Sequence, residues 1–250
     1  MSLLLADIEA TANEKLDAGL RDYLNRGAQH DVTLEANREA FNRLRIRPRY
    51  MVDVSKRDLT ARLFGDTLRA PICVSPFGLN RRFHSNGEFE TAKGVSQCQT
   101  VMVVSSGSGV TIEQLAEREP LLVKWFQMFI YEDRVMTRDM AQRAERAGYK
   151  ALVLTVDQNT MGLRYHNMKN AYVDTDERVN YRPYGVSKEV ARDATWEDVK
   201  WLKGVVNIPV VIKGVLTAED SRLAVNAGAD AIFVSNHGGR QLDGSPATVC

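Results

Sequence analysis

Cysteine is scarce. Cys73, Cys98 and Cys250 are the three in 250 residues. They are odd in number and far apart, so they build neither a disulfide framework nor a cysteine metal site, and they suit a reducing compartment. Histidine is almost as sparse. His30, His84, His166 and His237 share no ligand spacing, so no metal is expected. Charge of one sign is missing too. A formal net charge of +1 leaves no electrostatic case for nucleic acid. No run approaches the roughly 20 apolar residues of a membrane span. Met1 to Asp7 turns acidic after an apolar run too short for a signal peptide. These absences predict an intracellular protein, cytoplasmic or peroxisomal, without membrane or nucleic-acid partners. No Pro-rich or Ser-rich linker divides the chain, whose length suits one large α/β barrel or two small domains.

What is present is ordinary globular composition, 44% hydrophobic and 26% charged. Residues 1–45 read as helices, with Ile8, Ala12, Leu16 and Leu20 at helical spacing and a break at Gly27 before Leu34 to Phe41. Six apolar runs follow: 71–76, 101–106, 121–127, 151–157, 209–213 and 231–237. Thr111 to Gln114 fits a capping box, and Thr195 to Asp198 and Thr217 to Asp220 are looser Asp versions. Gly148 and Gly228 stand where helices stop. Strand alternating with helix predicts a parallel sheet with crossover helices. Five runs end in polar groups, at Ser105, Gln127, Asp157, Lys213 and His237. In α/β barrels the chemistry sits at those C-terminal ends. The polar stretch 165–194 lacks periodicity and reads as either a lid or an insertion.

The run Ala231 to Gln241 holds the densest chemistry. An apolar strand ends in Ser235-Asn236-His237, two glycines allow a turn, and Arg240 follows. A base near neutral pKa and a planar cation three residues apart suit deprotonation of an anionic substrate. A lone histidine in such a place is nonetheless more often structural. Ala147 to Asp157 repeats the layout of Ala227 to His237, each with a glycine stop, a turn, an apolar strand, and a hydroxyl and an ionisable residue two apart. Thr155 and Asp157 then share a strand face, as do Ser235 and His237. If rotation about a barrel axis relates the two, Asp157 and His237 converge, and the carboxylate orients the ring. The plainer alternative is a repeated helix-to-strand turn without chemistry.

With these residues in hand, the chain resembles the FMN-dependent α-hydroxy-acid oxidases and dehydrogenases, nearest to their glycolate oxidase branch. Ser235 to Gln241 matches the active-site signature. Asp22-Tyr23, Arg26-Gly27-Ala28, Pro48-Arg49, Thr155-Val156-Asp157, Lys213-Gly214, Leu242-Asp243-Gly244 and Pro246-Ala247-Thr248 extend it along the chain. The resemblance implies oxidation of a small (S)-2-hydroxy acid to the 2-oxo acid with FMN, oxygen accepting the electrons. It implies His237 as the base and Asp157 as its partner. Arg164, Arg240 and the Tyr23 hydroxyl would hold the substrate carboxylate. Lys213 would sit by the flavin N1–O2 edge. Ser105, Gln127 and Thr155 would hydrogen-bond the ring, Ser235 would lie near it, and the backbone of Pro76, Phe77 and Gly78 would pass beside it.

Departures from the family pattern matter. Phe129, counted among the substrate residues, stands where a tyrosine is usual, and Gly107 replaces an aromatic residue that shapes the pocket. Pro76-Phe77-Gly78 stands where Pro-Thr-Ala or Pro-Val-Ala is usual beside the ring, which changes the volume there. The implied fold is a TIM-type β/α barrel read as one domain over 1–250, with a helical segment over 1–45 and strands one to six over 70–250. Strands seven and eight, with the family's phosphate-binding segments, are expected to be absent. The partner expected is the hydroxy acid, with a homo-oligomer possible. The alternative is a truncated, non-catalytic pseudoenzyme or partner-binding protein, which Phe129, Gly107 and the missing phosphate segments favour.

Overall fold

The computed structural model describes residues 4–170, 172, 178–185 and 189–249. The chain divides into two compact units. One draws on Asn42–Thr160 and Glu177–Ser235, the other on Met1–Phe41, Met161–Asp176 and Asn236–Cys250.

The first unit is built on a five-stranded parallel sheet. Two short strands precede it, β1 (Ala61–Leu63) and β2 (Asp66–Leu68), paired antiparallel. The sheet strands are β3 (Val101–Ser105), β4 (Val123–Met128), β5 (Leu152–Thr155), β6 (Val210–Val215) and β7 (Ala231–Val234). They lie in chain order and pair in parallel. Each junction carries a crossover element, as parallel strands require. Numbering the helices along the whole chain, these are α5 (Ile112–Arg118), α6 (Arg134–Arg146), α8 (Trp196–Lys203) and α9 (Ala218–Asn226), with α4 (Glu88–Cys98) leading into β3. Thr111 with Gln114, and Thr195 with Asp198, form capping boxes at α5 and α8. The arrangement is the arc of a TIM-type β/α barrel.

Alternation along the strands makes two cores. Phe126, Met128, Leu152, Leu154, Val210 and Ile212 face the helices with Met136, Met140, Val199 and Leu202. Their neighbours Val101, Val103, Trp125, Val153 and Val211 face the other way and pack with Leu68. Burial on both faces explains why these strands read as near-continuous apolar runs. Each such side chain contributes about 1.5–3 kcal/mol on leaving water.

The sixfold strand expectation needs one correction. The run 71–76 makes a single parallel bridge, Val74 to Met102. Pro71 and Pro76 bracket it, and proline has no N–H to extend a ladder. The strand expected over 121–127 starts later, at Val123, and Leu121 is exposed.

The second unit holds α1 (Leu5–Lys15), α2 (Ala18–Asn25), most of α3 (Val32–Arg43) and the short α7 (Tyr165–Lys169). Asp17 caps α2 by accepting from Leu20 N–H at 2.8 Å. Two residues of the signature motifs serve as scaffold here. Asn236 bonds Asn37, the Pro246 carbonyl and Gly239 N–H. Asp243 accepts from Thr33 N–H at 2.8 Å, within the first turn of α3. The stretch 165–194 thus carries α7 and a 3-10 turn over Val179–Tyr181, with Asn180 and Tyr181 buried. Residues 171, 173–177 and 186–188 of it lie outside the described ones.

Candidate active site

In the first unit, the sheet face carrying Val103, Trp125, Val153 and Val211 ends in polar groups. Strand parity puts Ser105, Gln127, Thr155 and Lys213 at those ends. Hydrogen bonds join three of them into a ribbon. Gly107 N–H donates to Ser105 Oγ at 3.1 Å, and Ser105 Oγ donates to Gln127 Oε1 at 3.1 Å. Gln127 Nε2 donates to Thr155 Oγ1 at 3.0 Å. Gln127 keeps a second amide hydrogen, and Thr155 keeps its hydroxyl proton, both free to be given to a ligand.

Lys213 continues the ribbon. It is 6% exposed, and its ammonium makes no hydrogen bond among the described residues. Burial lowers its pKa below the ordinary 10.5, and the charge of Asp157 opposes the shift. Asp157 is brought close by Gly214. A Cβ at Gly214 would lie 2.6 Å from Asp157 Cγ, and its φ is +110°. Only glycine fits there, because the β5 and β6 ends approach within contact distance. Ser235 is buried past the end of β7, its N–H bonded to the Val215 carbonyl at 3.4 Å. Phe77 tilts against Phe83 at 5.4 Å, and a Cβ on Gly78 would meet the Gly107 carbonyl at 3.2 Å. Phe129 stands edge-on to Tyr131 at 6.2 Å.

In the second unit, Tyr23, Arg164 and Arg240 come together. The Arg240 guanidinium carbon lies 4.9 Å from the Tyr23 ring centre and that of Arg164 lies 5.5 Å from it. Tyr172 stacks on Tyr23 at 4.8 Å. Arg240 bonds the Arg26 carbonyl at 2.9 Å. Its pKa is pushed down to about 10, by burial first and then by the charge of Arg164, while Tyr23 pulls it up. Arg164 Nε is buried without a partner. His237 opens a 3-10 turn at φ +58°, a left-handed conformation that a non-glycine residue seldom adopts. Gly238 and Gly239 follow in the same region. A Cβ at Gly239 would strike Leu34 N at 2.6 Å.

The shared-face argument for His237 and Asp157 is corrected in one respect. The strands stop at Val234 and Thr155, so neither residue lies on a strand. Asp157 belongs to the first unit and His237 to the second.

Residues 12–250 match the sequence profile of the FMN-dependent dehydrogenases. The chain belongs to that family. Glycolate oxidase 1 of Oryza sativa subsp. indica is 40% identical over 260 residues, which covers 97% of this chain and 70% of that protein. Glycolate oxidase of Spinacia oleracea is 38% identical over the same shares. A solved mandelate oxidase variant with (S)-mandelic acid has a TM-score of 0.91 at 36% identity, over 98% of this chain and 71% of that one. FMN is the cofactor of the family, and the residues fit it. Hydroxyl, amide and ammonium groups in line suit the heteroatom edge of a flat ring. The buried Lys213 ammonium, with the Phe233 ring 5.8 Å away, suits an edge that gains negative charge.

Sequence reasoning missed other buried polar groups. Ser106, Tyr131 and Tyr181 form a closed triangle of hydroxyls at 3.0, 3.0 and 3.1 Å. Burial pushes the Tyr131 phenol well above its usual range. Glu88, fully buried, accepts from Asn80 and Gly109 N–H groups. No local spacing signals either cluster, because their partners are distant in sequence.

Proposed function

We propose that this protein oxidises a small (S)-2-hydroxy acid to the 2-oxo acid with FMN, oxygen being the final electron acceptor. The observation that carries the reading is the Arg164–Arg240 pair. Two guanidinium groups crowd one phenol ring, and Arg240 has its pKa lowered, by burial first and then by the charge of Arg164. Such a pair is stabilised by an anion that both can grip, and guanidinium matches carboxylate bidentately. Relatives named for glycolate and a structure holding (S)-mandelic acid support the substrate class.

In this reading Arg164, Arg240 and the Tyr23 hydroxyl hold the carboxylate, and Phe129 lines the pocket. His237 takes a proton on its imidazole, oriented by Asp157. It takes the hydroxyl proton if hydrogen leaves the carbon as hydride, and the α-proton if a carbanion forms. FMN, when bound, supplies the two-electron acceptor. Ser105, Gln127 and Thr155 hold its ring, Ser235 lies beside it with the backbone of Pro76, Phe77 and Gly78, and Lys213 faces the edge that becomes negative. The strained turn at His237 supports its role, since such strain clusters at functional sites. The protein works in the cytoplasm or peroxisome, singly or as a homo-oligomer, on a dissolved substrate.

The test is anaerobic mixing of the FMN-loaded protein with glycolate, (S)-lactate and (S)-mandelate. At least one should bleach the flavin band and yield one 2-oxo acid per flavin, and air should restore the colour with hydrogen peroxide formed. A loaded protein that stays yellow with every hydroxy acid is the non-catalytic alternative, which the Phe129 ring and bare Gly107 would then explain.

A further inference from the structure

Three buried hydroxyls of the first unit meet one residue past the polar ribbon. Ser106, Tyr131 and Tyr181 are 0%, 1% and 7% exposed. Tyr131 donates to Ser106 Oγ at 3.0 Å. Each hydroxyl has a single proton. Tyr181 therefore donates to Tyr131 across 3.1 Å, and Ser106 donates to Tyr181 across 3.0 Å. The ring of bonds uses every proton.

Ser106 ties this ring to the ribbon. Its N–H donates to the Gln127 carbonyl at 2.8 Å. Its neighbour Ser105 stands opposite Gln127 in the β3–β4 register. The side chain of Ser106 is thus fixed by the triangle and its backbone by the central residue of the ribbon. A planar trans peptide holds consecutive Cα atoms about 3.8 Å apart, so a shift at Ser106 carries Ser105 with it. The Ser105–Gln127 bond is already 3.1 Å long and has little slack before it weakens.

Tyr181 is held on its own side. Val179 N–H donates to the Ser108 carbonyl at 3.2 Å. Asn180 is fully buried. It accepts from Ile112 N–H at 3.0 Å and donates to Ser108 Oγ at 2.9 Å and the Val110 carbonyl at 3.1 Å. The Tyr181 ring packs edge-on to that of Tyr131 at 5.7 Å. Three residues on, the Tyr184 hydroxyl donates to Asp139 at 2.7 Å and accepts from Arg143 at 3.0 Å. Those two partners lie on α6, and neither bonds the ribbon or Ser106 among the described residues.

We infer that Tyr181 is a positioning residue for the flavin ring, its hydroxyl setting, through Ser106 and Tyr131, where Ser105 and Gln127 present their groups. The inference rests on the ribbon as the holder of FMN. It adds a residue that does not itself bond the ribbon, and it is independent of which acid is oxidised. Without the Tyr181 hydroxyl, Ser106 keeps a buried proton with no acceptor. Its side chain must turn to find one, and the end of β3 moves with it.

The experiment uses the full chain, freed of flavin and titrated with FMN. Fluorescence quenching gives Kd, absorbance gives the position of the visible flavin band, and urea unfolding without FMN gives stability. Phenylalanine keeps the ring packing and removes only the hydroxyl. Tyr181→Phe should weaken FMN binding about tenfold, the factor that about 1.4 kcal/mol of lost hydrogen bonding makes. The flavin band should move from its unmutated position. Tyr131→Phe should do the same, and the double variant should lose less than the two single losses combined, since one ring of bonds is broken in each case. Tyr184→Phe cuts another tie of the same segment. It should lower the urea midpoint and leave Kd and the band unchanged. Should Tyr181→Phe fail to fold, Tyr131→Phe and Ser106→Ala make the same comparison with Tyr184→Phe. Unmoved Kd and band in the triangle variants, or an equal loss in Tyr184→Phe, overturns the inference and leaves the FMN reading intact. If the unmutated protein takes up no FMN, the reading fails and the inference with it.

Discussion

At the residue scale, the proposed roles give binding to the two arginines and proton transfer to the histidine. Replacing His237 with Gln should slow flavin reduction by at least roughly a hundredfold, the scale of a positioned base. Substrate binding should change much less, and stopped-flow reduction at the unmutated rate would sink the assignment. Arg240→Lys keeps a charge and loses the fork, so kcat/KM should fall steeply for acids and little for their neutral esters. Gly214 poses a purely steric test. Alanine there puts a Cβ 2.6 Å from Asp157 Cγ at a φ of +110°. Such strain should cost about 1–3 kcal/mol in urea unfolding. It should also disturb Lys213, whose buried charge Asp157 offsets. The polar strand ends at Ser105, Gln127 and Lys213 were legible in sequence, because each closes an apolar run, whereas Thr155 was singled out as a ring contact only by the family resemblance. Tyr181 and Glu88 were not legible. Tyr181 reaches Ser106 across a sequence gap of 75 residues, and nothing local marks it.

At the element scale, helix ends show what local sequence encodes. Thr111 and Thr195 cap their own helices, and both were readable as Thr followed by Gln or Asp three residues on. The first turn of α3 is stabilised from far away, by Asp243 across some 210 residues. Burial pushes the Asp243 carboxyl up, yet the N–H groups of Thr33 and His30 outweigh it and leave its pKa lowered. Its contribution is therefore present above the ordinary aspartate value and lost as pH falls through the lowered one. Asp243→Ala should destabilise the protein by about 1 kcal/mol at neutral pH, as loss of a helix cap does. The difference between the two proteins should begin to shrink as pH falls below roughly 4 and vanish only below the lowered carboxyl pKa. A chemical denaturation series against pH measures both. The failure at 71–76 belongs to this scale as well. Four residues between two prolines satisfy an apolar count yet hold only one ladder rung, at Val74. The paired strands β1 and β2 went unseen because each is three residues long and half exposed.

At the scale of the whole molecule, cofactor binding and stability are linked. Any ligand that binds the folded chain alone raises its stability, by about 2.7 kcal/mol at a hundredfold excess over Kd. The thermal midpoint should therefore climb with FMN concentration, in step with the flavin absorbance retained after desalting. A melting curve indifferent to FMN would mean that the ribbon of Ser105, Gln127 and Thr155 does not hold it. Gln127→Leu should blunt the rise, since it removes the amide at the centre of the ribbon and leaves the Thr155 and Ser105 hydroxyls without it.

Periodicity, caps and the polar strand ends determined the α/β class, the parallel sheet and the polar end of most strands. These are local properties, written in side-chain alternation and in the φ preferences of single residues. The signature Ser235 to Gln241 did the same for the family. Tertiary structure decided the rest. It put Arg164 and Arg240 on one phenol ring, turned Asn236 and Asp243 from motif residues into scaffold, and closed the Ser106–Tyr131–Tyr181 triangle. Each of these joins residues tens to hundreds of positions apart. Such pairings follow from how buried polar groups find partners once the chain has collapsed, and no spacing along the chain encodes that choice.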